Sequence, residues 1–535
     1  MGMNPTRPTA LGTSGVVATP HYLASQAGLR VLQDGGSAVD AAIAANAVLQ
    51  VVYPHNCAAG GDAFWIIYDP RDGRPVALNG SGRAPAAATP ERLRERGLIR
   101  MPMHGPLPVT VPGVVDSWHE VLARYGRLGL ERDLAPAIDY AENGFPATPK
   151  LCQTIGEEAG LLALSPAASA VFLPGNAVPR MGQVLRNPDL AGTYRSIARR
   201  GRDVFYRGEI AERIAAAVQE LGGLLTAEDL AAHRSDWVEP LSTGYRGYEI
   251  YEFPPNSQGL TALIELNLVE GFDLSALPRR GLQWQHLLVE AKRLAFADRD
   301  SYLTDPEAMA IDPRTLISKE YADRRRRGID PRAAAPVHPA GNPAAGDTIY
   351  LCAVDRDGQC VSLIQSLYYA FGSGVMVPGT GLLLQNRGAY FSLHPAHPNV
   401  IAPRKRTLHT LMPAMMLRDG RPCLVFGSMG GDGQAQTHLQ LVTNILDAGM
   451  DVQQALDAPR WFSGALIAEH GPEPLLMENR FPAELCAGLE AMGHEVVPLG
   501  PWEAVMGHAQ AIMLRDDGVL AGGADPRGDG IAAAW

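Results

Sequence analysis

The sequence predicts a layered α/β protein with helices outside and sheets within. Two observations carry this. The chain opens with two helical segments followed by strands, and it closes with strands and helices in alternation, on either side of a helix-rich middle. The bulk numbers agree, since 535 residues that are 46% hydrophobic and 19% charged can bury a large core.

Taken in order, "YLASQAGLRVLQD" at 22–34 spaces Leu23, Ala27, Val31 and Leu32 near helical intervals, and Gly35 and Gly36 end it. A second helix begins near Ser37. Its apolar run "AVDAAIAANAVLQVVY" holds Asp40 and is too short to span a bilayer, so it reads as a buried helix. "FWIIYDPRDGRPVAL" follows as two strands around an Asp-Gly turn. Residues 115–330 are mostly helical, as in "EIAERIAAAVQELGG" and "LLVEAKRLAFADRDSYL", with an extended interruption at "YRGYEIYEFPP". The four arginines at 324–327 fit the solvated end of a helix, where cations suit the dipole. From 328 to 347 the chain carries Pro331, Pro336, Pro339 and Pro343 and loses its periodicity, which makes it a flexible linker by composition. Then "TIYLCAV", "DRDG" and "QCVSLIQSL" give strand, tight turn, strand. Further strands are expected at "LLLQN", "TLMPAMMLRDGRPCLVFGS" and "AQAIMLRDDGVLAGGAD", and helices at "AQTHLQLVTNILDAG" and "PAELCAGLEAMG".

Charge and composition exclude several classes. A net charge of −11 spread over the whole length, with one basic cluster, argues against a nucleic-acid partner. Six cysteines are scattered singly, with no CxxC pair and no histidine cluster at metal spacing, so neither a disulfide framework nor a metal or other cofactor is expected. Cys352 and Cys360 are expected as reduced thiols on paired strands. The N-terminus has no apolar core of a secretory signal, which sets the expectation of a cytoplasmic protein with no membrane partner.

The common nucleophile and metal signatures are missing: no GxSxG, no HExxH and no GxxxxGK occurs. Thr348 offers a different chemistry, because it opens a strand directly behind the linker. Cleavage before it would free an α-amine with a reference pKa of about 7.7–8.0. Such an amine can take the proton of the threonine's own hydroxyl, so that one residue is both nucleophile and base. Taken alone, a threonine at a strand start is an ordinary β-former.

The residues around it carry more. "GDTIYLCAVDRDGQCVSLIQSLYYAFGSGVMVPGTGLLLQN" and "KRTLHTLMPAMMLRDGRPCLVFGSMGGDG" resemble the small subunit of the gamma-glutamyltransferase family of N-terminal nucleophile hydrolases. Upstream, "ASQAGLRVLQDGGSAVDAAIAAN", "AAGGDAFWIIYD", "VTVPGVVDSWHEVLARYGRLGL", "FYRGEIAERI" and "EAKRLAFADRDSYLTDP" extend the resemblance in family order from about Gly12. It implies a four-layer αββα sandwich and autoproteolysis between Asp347 and Thr348. A large subunit of residues 1–347 and a small catalytic one of 348–535 would then share a single domain, and a homodimer of such heterodimers is compatible with it. The resemblance also assigns Thr348 as nucleophile, Ser366 as the hydroxyl that hydrogen-bonds it, and Gly430 and Gly431 as the oxyanion-hole pair. The implied substrate is a small-molecule amide, and no cofactor is implied.

Departures from the family motif fall on substrate recognition. Where family members hold the glutamyl α-carboxylate with an arginine ahead of an "AP" motif, this chain has "NGSGRAP", with Ser81 in that place and Arg83 two positions on. Tyr368 replaces an asparagine, Tyr390 the acid that holds the α-amino group, Arg387 a glutamine, and His409 and Thr410 a pair of serines. Losing an acid and gaining an arginine shifts the preference from a zwitterionic head toward a plain anion. Arg387, with Arg83, suits a bidentate grip on a carboxylate, though Arg387 could equally pair with a protein carboxylate at the subunit interface. His409 could bind substrate or pack as a supporting histidine. The function expected is hydrolysis of a carboxylate-bearing, oxamate-like amide. The alternatives are a gamma-glutamyltransferase or glutathione hydrolase with altered glutamate contacts, and an uncleaved binding protein.

Overall fold

The computed structural model describes residues 6–335, 347–464 and 474–535. Two seven-stranded sheets form its centre, and every neighbouring pair in both is antiparallel. The first runs in the order Ile531–Ala534, Gly15–Thr19, Asp347–Asp355, Cys360–Tyr368, Asp62–Tyr68, Pro75–Gly80 and Asp236–Val238. The second runs Ala10–Gly12, Leu520–Ala524, Ala509–Leu514, Arg421–Ser428, Ala414–Arg418, Tyr248–Glu252 and Leu241–Tyr245. Strands from before and after Thr348 are interleaved in both sheets.

Side-chain alternation builds the layers, because successive residues of a strand point to opposite faces. In the strand Asp347–Asp355, Tyr350, Cys352 and Val354 join Phe64, Ile364, Met415, Val425 and Ile512 in a core between the sheets. Ile349, Leu351 and Ala353 point the other way, into a core shared with the helices Tyr22–Gln33, Ala38–Val52 and Val114–Tyr125. The second sheet is covered by Gly259–Glu270, Leu282–Tyr302 and Gly433–Leu446. The result is helices, sheet, sheet, helices, the four-layer arrangement expected from the resemblance.

The helix Ala38–Val52 is buried along its whole length. Asp40, the one charge in its apolar run, is accommodated by hydrogen bonds from Ser37, Arg127 and Leu128 N–H. Buried carboxylates need such donors. Two expectations change on inspection. The arginine cluster does close a helix, Lys319–Arg326, but Arg326 is not merely solvated: it donates to the Leu268 and Asn267 carbonyls at the end of Gly259–Glu270. The strand expected at "LLLQN" shrinks to Leu382–Leu383. Of the stretch 328–347, Ile329 is buried and Ala334 and Ala335 donate to Met492 O and Glu290 Oε2, while 336–346 lie outside the described residues. Cys352 faces Ser362 and Cys360 faces Val354 across the hairpin, and both thiols are free.

Candidate active site

Thr348 lies at the start of the strand Asp347–Asp355, between Gly15–Thr19 and Cys360–Tyr368. Its side chain is fully buried, and its parity with Tyr350 turns it toward the space between the sheets. Thr348 Oγ1 donates to Ser366 Oγ at 3.1 Å, and Ser366 Oγ also accepts the Tyr368 N–H at 2.6 Å. A bulge makes this meeting possible: Asp347 pairs with Tyr368 and Ile349 with Gln365, so the second strand carries one extra residue. Tyr368 takes up the deformation with φ +85°, a conformation that an aromatic residue adopts only where its surroundings fix it. Asn56 Nδ2 donates to the Thr348 carbonyl at 2.9 Å and holds the strand end from below.

The opposing sheet comes close at this point. A Cβ placed on Gly427 would lie 2.4 Å from Tyr350 Cε2, so only glycine lets the strand Arg421–Ser428 pass. The chain then turns through Gly430 and Gly431, with φ +130° and +54°, into the helix Gly433–Leu446. Among the described residues neither glycine N–H donates to a protein acceptor. Gln258 clamps this turn by donating to Gly431 O and Thr410 O, both at 2.9 Å. Asp432 next to it accepts from Arg299 at 2.5 Å and from the Tyr390 hydroxyl at 2.8 Å. The Tyr390 ring in turn stands 5.4 Å edge-on from that of Tyr368. The turn is thereby connected to Thr348 through Asp432, Tyr390, Tyr368 and Ser366.

Arg387 sits against the same ring, with Cζ 4.4 Å from the Tyr368 centroid. It is only 1% exposed, yet among the described residues its one side-chain hydrogen bond runs from Nη1 to Thr410 Oγ1 at 3.2 Å. Nε and Nη2 have no partner, and no carboxylate forms an ion pair with it among the described residues. Among the described residues, then, the alternative of a pairing with a protein carboxylate is not seen. Burial draws its pKa down to about 10, which still leaves it charged at neutral pH. Tyr368 and Tyr390 also line a cavity of about 680 Å³, with Leu98, Met101 and Phe391 in its walls.

Arg83 does not join the group. It turns to Asp236 at 3.5 Å in a separate cavity with His233 and Arg404, because the Asp236 carboxylate, which also binds Arg406, is its nearest counter-charge. His409 is not open to solvent or substrate either: its Nε2 is 3.1 Å from Asp62 Oδ2, and burial pushes its pKa well below the usual value. Ser81 bonds to Asn79 Oδ1 at 2.6 Å. Sequence reasoning also missed a cluster remote from Thr348, in which His286, Glu290 and His494 place ligand-type atoms within 4.8 Å of one another. There His286 Nδ1 and His494 Nε2 share a 2.8 Å hydrogen bond, and Glu290 accepts from Arg293 and Ala335 N–H, while His494 Nδ1 is buried without a hydrogen-bond partner among the described residues.

A threonine opening a central strand, a glycine turn on the facing sheet and the αββα layering together define an N-terminal nucleophile hydrolase fold. The gamma-glutamyltranspeptidase family model matches residues 24–535, and the chain belongs to that enzyme family. It is 43% identical over 525 residues to the glutathione hydrolase-like YwrD proenzyme of Bacillus subtilis, covering 98% of this chain and 99% of the relative. It is 40% identical to the oxamate amidohydrolase proenzyme of Klebsiella pneumoniae, with 98% and 99% covered. Among solved structures, cephalosporin acylase from Bacillus halodurans superposes with a TM-score of 0.93 at 41% identity, covering 100% of this chain and 98% of that one. Among the described residues no helix is long and apolar enough to cross a membrane.

Proposed function

We propose that this chain is a proenzyme that cleaves itself between Asp347 and Thr348 and then hydrolyses amides whose acyl part carries a carboxylate. The observation that carries the reading is the buried Thr348–Ser366 contact lying two positions from Tyr368, whose ring supports an Arg387 guanidinium with two nitrogens unpartnered among the described residues. In this reading the acyl carboxylate takes the open N–H groups of Arg387, a planar fork that matches carboxylate geometry. Thr348 Oγ attacks the amide carbonyl, and the freed α-amine accepts its proton and passes it to the leaving amine. Gly430 and Gly431 N–H stabilise the oxyanion, each worth about 2.7–4 kcal/mol. Water then attacks the acyl-threonine ester, the acid leaves, and the proton returns to Oγ. The cavity lined by Tyr368 and Tyr390 gives the amine portion room. The proenzyme names of the relatives support the maturation step.

The test is a denaturing gel followed by N-terminal sequencing and turnover of oxamate, a glutaryl anilide, a gamma-glutamyl anilide and glutathione. Two bands, the smaller beginning at Thr348, with turnover of the carboxyacyl amides, is the expected result. Thr348→Ala should leave one uncut band and no activity. A wild-type chain that never cleaves would overturn the reading, and turnover confined to the glutamyl compounds would move the substrate to an amino-acid head.

A further inference from the structure

The site holds a second carboxylate that the chemistry above does not use. Asp62 is the first residue of Asp62–Tyr68 and stands directly opposite Ser366 in the sheet. Its parity with Phe64 and Ile66, both in the core between the sheets, turns it into the same space as Ser366 and Thr348. Directly opposed residues of an antiparallel pair have Cβ atoms about 4.5–5.5 Å apart. Asp62 is therefore one side chain removed from the nucleophile.

Its carboxyl is fully buried. Oδ1 accepts from Gly82 N–H and Gln385 Nε2, each at 2.9 Å, and Oδ2 from His409 Nε2 at 3.1 Å. Leu411 N–H donates to His409 Nδ1 at 3.4 Å, which makes Nε2 the protonated nitrogen and the histidine a neutral donor. The other charged or titratable groups facing Asp62 are Arg387 and Arg406, with the Tyr206 phenol within electrostatic range; maturation adds the freed Thr348 α-amine, with a reference pKa of about 7.7–8.0. Arg406 is committed to Asp236.

Hydrolysis changes the charge of what the site holds, and this inference rests on the reading just given. The carboxyacyl amide enters with one negative charge. When water's oxygen bonds to the acyl carbon and the bond to Thr348 Oγ breaks, the acid that forms loses its proton and leaves as a dianion. Its new carboxylate arises at Thr348, beside Ser366. We propose that Asp62 is a product-expelling charge: it tolerates the monoanionic substrate on Arg387 and repels the carboxylate born at Thr348.

Burial raises Asp62 to about pH 7, so the expulsion should switch on as pH rises through neutrality. The probes are two unreactive acids of equal length, glutarate as the product-like dianion and pentanoate as the monoanion. Their dissociation constants are measured by calorimetry on the matured enzyme at pH 6.0, 7.0 and 8.5. At pH 8.5, Asp62→Asn should bind glutarate about 10- to 100-fold more tightly than wild type, with pentanoate changed less than about 3-fold. In wild type alone, the glutarate-to-pentanoate ratio of constants should rise about 1.5- to 2-fold from pH 6.0 to 7.0, a range in which the Thr348 α-amine stays largely protonated, and this arm needs no variant to fold. A purely structural Asp62 would leave the pH 8.5 ratio unchanged by substitution and the wild-type ratio unchanged between pH 6.0 and 7.0. Binding of both acids with a ratio that is unchanged by the substitution and constant between pH 6.0 and 7.0 overturns this proposal. Failure of both acids to bind overturns the reading of the carboxylate site beneath it.

Discussion

Replacing Arg387 with methionine separates a ligand-binding cation from a structural one. Nε and Nη2 are buried without partners, and an unmet buried donor costs about 1–3 kcal/mol, so the two together burden the fold by about 2–6 kcal/mol. Methionine removes that burden. It gives up the charged hydrogen bond to Thr410, about 1.5–3 kcal/mol, and the stacking on Tyr368, about 0.5–2 kcal/mol. The midpoints nearly cancel, so Arg387→Met should leave unfolding in urea within about 2 kcal/mol of wild type. A buried arginine in an ion pair would instead cost about 3–5 kcal/mol on removal of the partnership. Activity should fall steeply, because two charged hydrogen bonds to substrate are worth about 3–6 kcal/mol, or about 10²–10⁴ in kcat/KM. The assay compares a glutaryl anilide with its methyl ester, whose rate should change less than about 3-fold. A loss of 3 kcal/mol or more in stability, with equal losses on the charged and the esterified substrate, would refute the reasoning.

Three further substitutions follow from the same geometry. Gly427→Ala drives a methyl into the Tyr350 ring at 2.4 Å and should destabilise by about 1–3 kcal/mol and slow self-cleavage, seen as precursor persisting on a gel. Ser366→Ala removes the partner of Thr348 Oγ1 and the acceptor of Tyr368 N–H; a deficit of about 1–3 kcal/mol corresponds to about 5- to 150-fold slower turnover, which Ser366→Thr should largely restore. For Asp62 the sign runs against the usual carboxylate: its folded pKa, about 7, lies above its ordinary value, so the folded state binds the extra proton and loses stability as pH rises from about 4 to 7. The stability of Asp62→Asn relative to wild type should thus increase across that window and level off above it, measured by urea unfolding from pH 4.5 to 8.

The fold was legible wherever local periodicity decided it. The hairpin around "DRDG" and the helix after Ser37 announce themselves in spacing and caps, and the structure places both as expected. Asp62 was quoted in "AAGGDAFWIIYD" yet not singled out, because its importance depends on standing opposite Ser366, a register between segments 304 positions apart that no local pattern encodes. Arg83 lies apart from the other candidates for a related reason. Distance from a motif along the chain says nothing about competing partners, and the strand Pro75–Gly80 ends before it, leaving its side chain to reach Asp236. Arg387 stands out by charge logic as a candidate, but only the tertiary arrangement reveals that its guanidinium lacks a carboxylate among the described residues.

Sheet topology also dictates what cleavage before Thr348 should do to the molecule. The strand that begins there is central, with Ile349 to Val354 paired to Cys360–Tyr368 and Cys352 to Asp355 paired to Gly15–Thr19. Breaking one peptide bond at the strand's start leaves those ladders untouched. On the other sheet, Ala10–Gly12, Leu241–Tyr245 and Tyr248–Glu252 come from before the break, and the four strands between them from after it. Neither product could bury its sheet faces alone, and each would expose the core residues of both inner layers. The two pieces should therefore elute together on native size exclusion as one species of the precursor's size or a multiple of it, and separate only in denaturant. Elution of a free 348–535 fragment under native conditions would show that the interleaved strands do not hold the cleaved chain together.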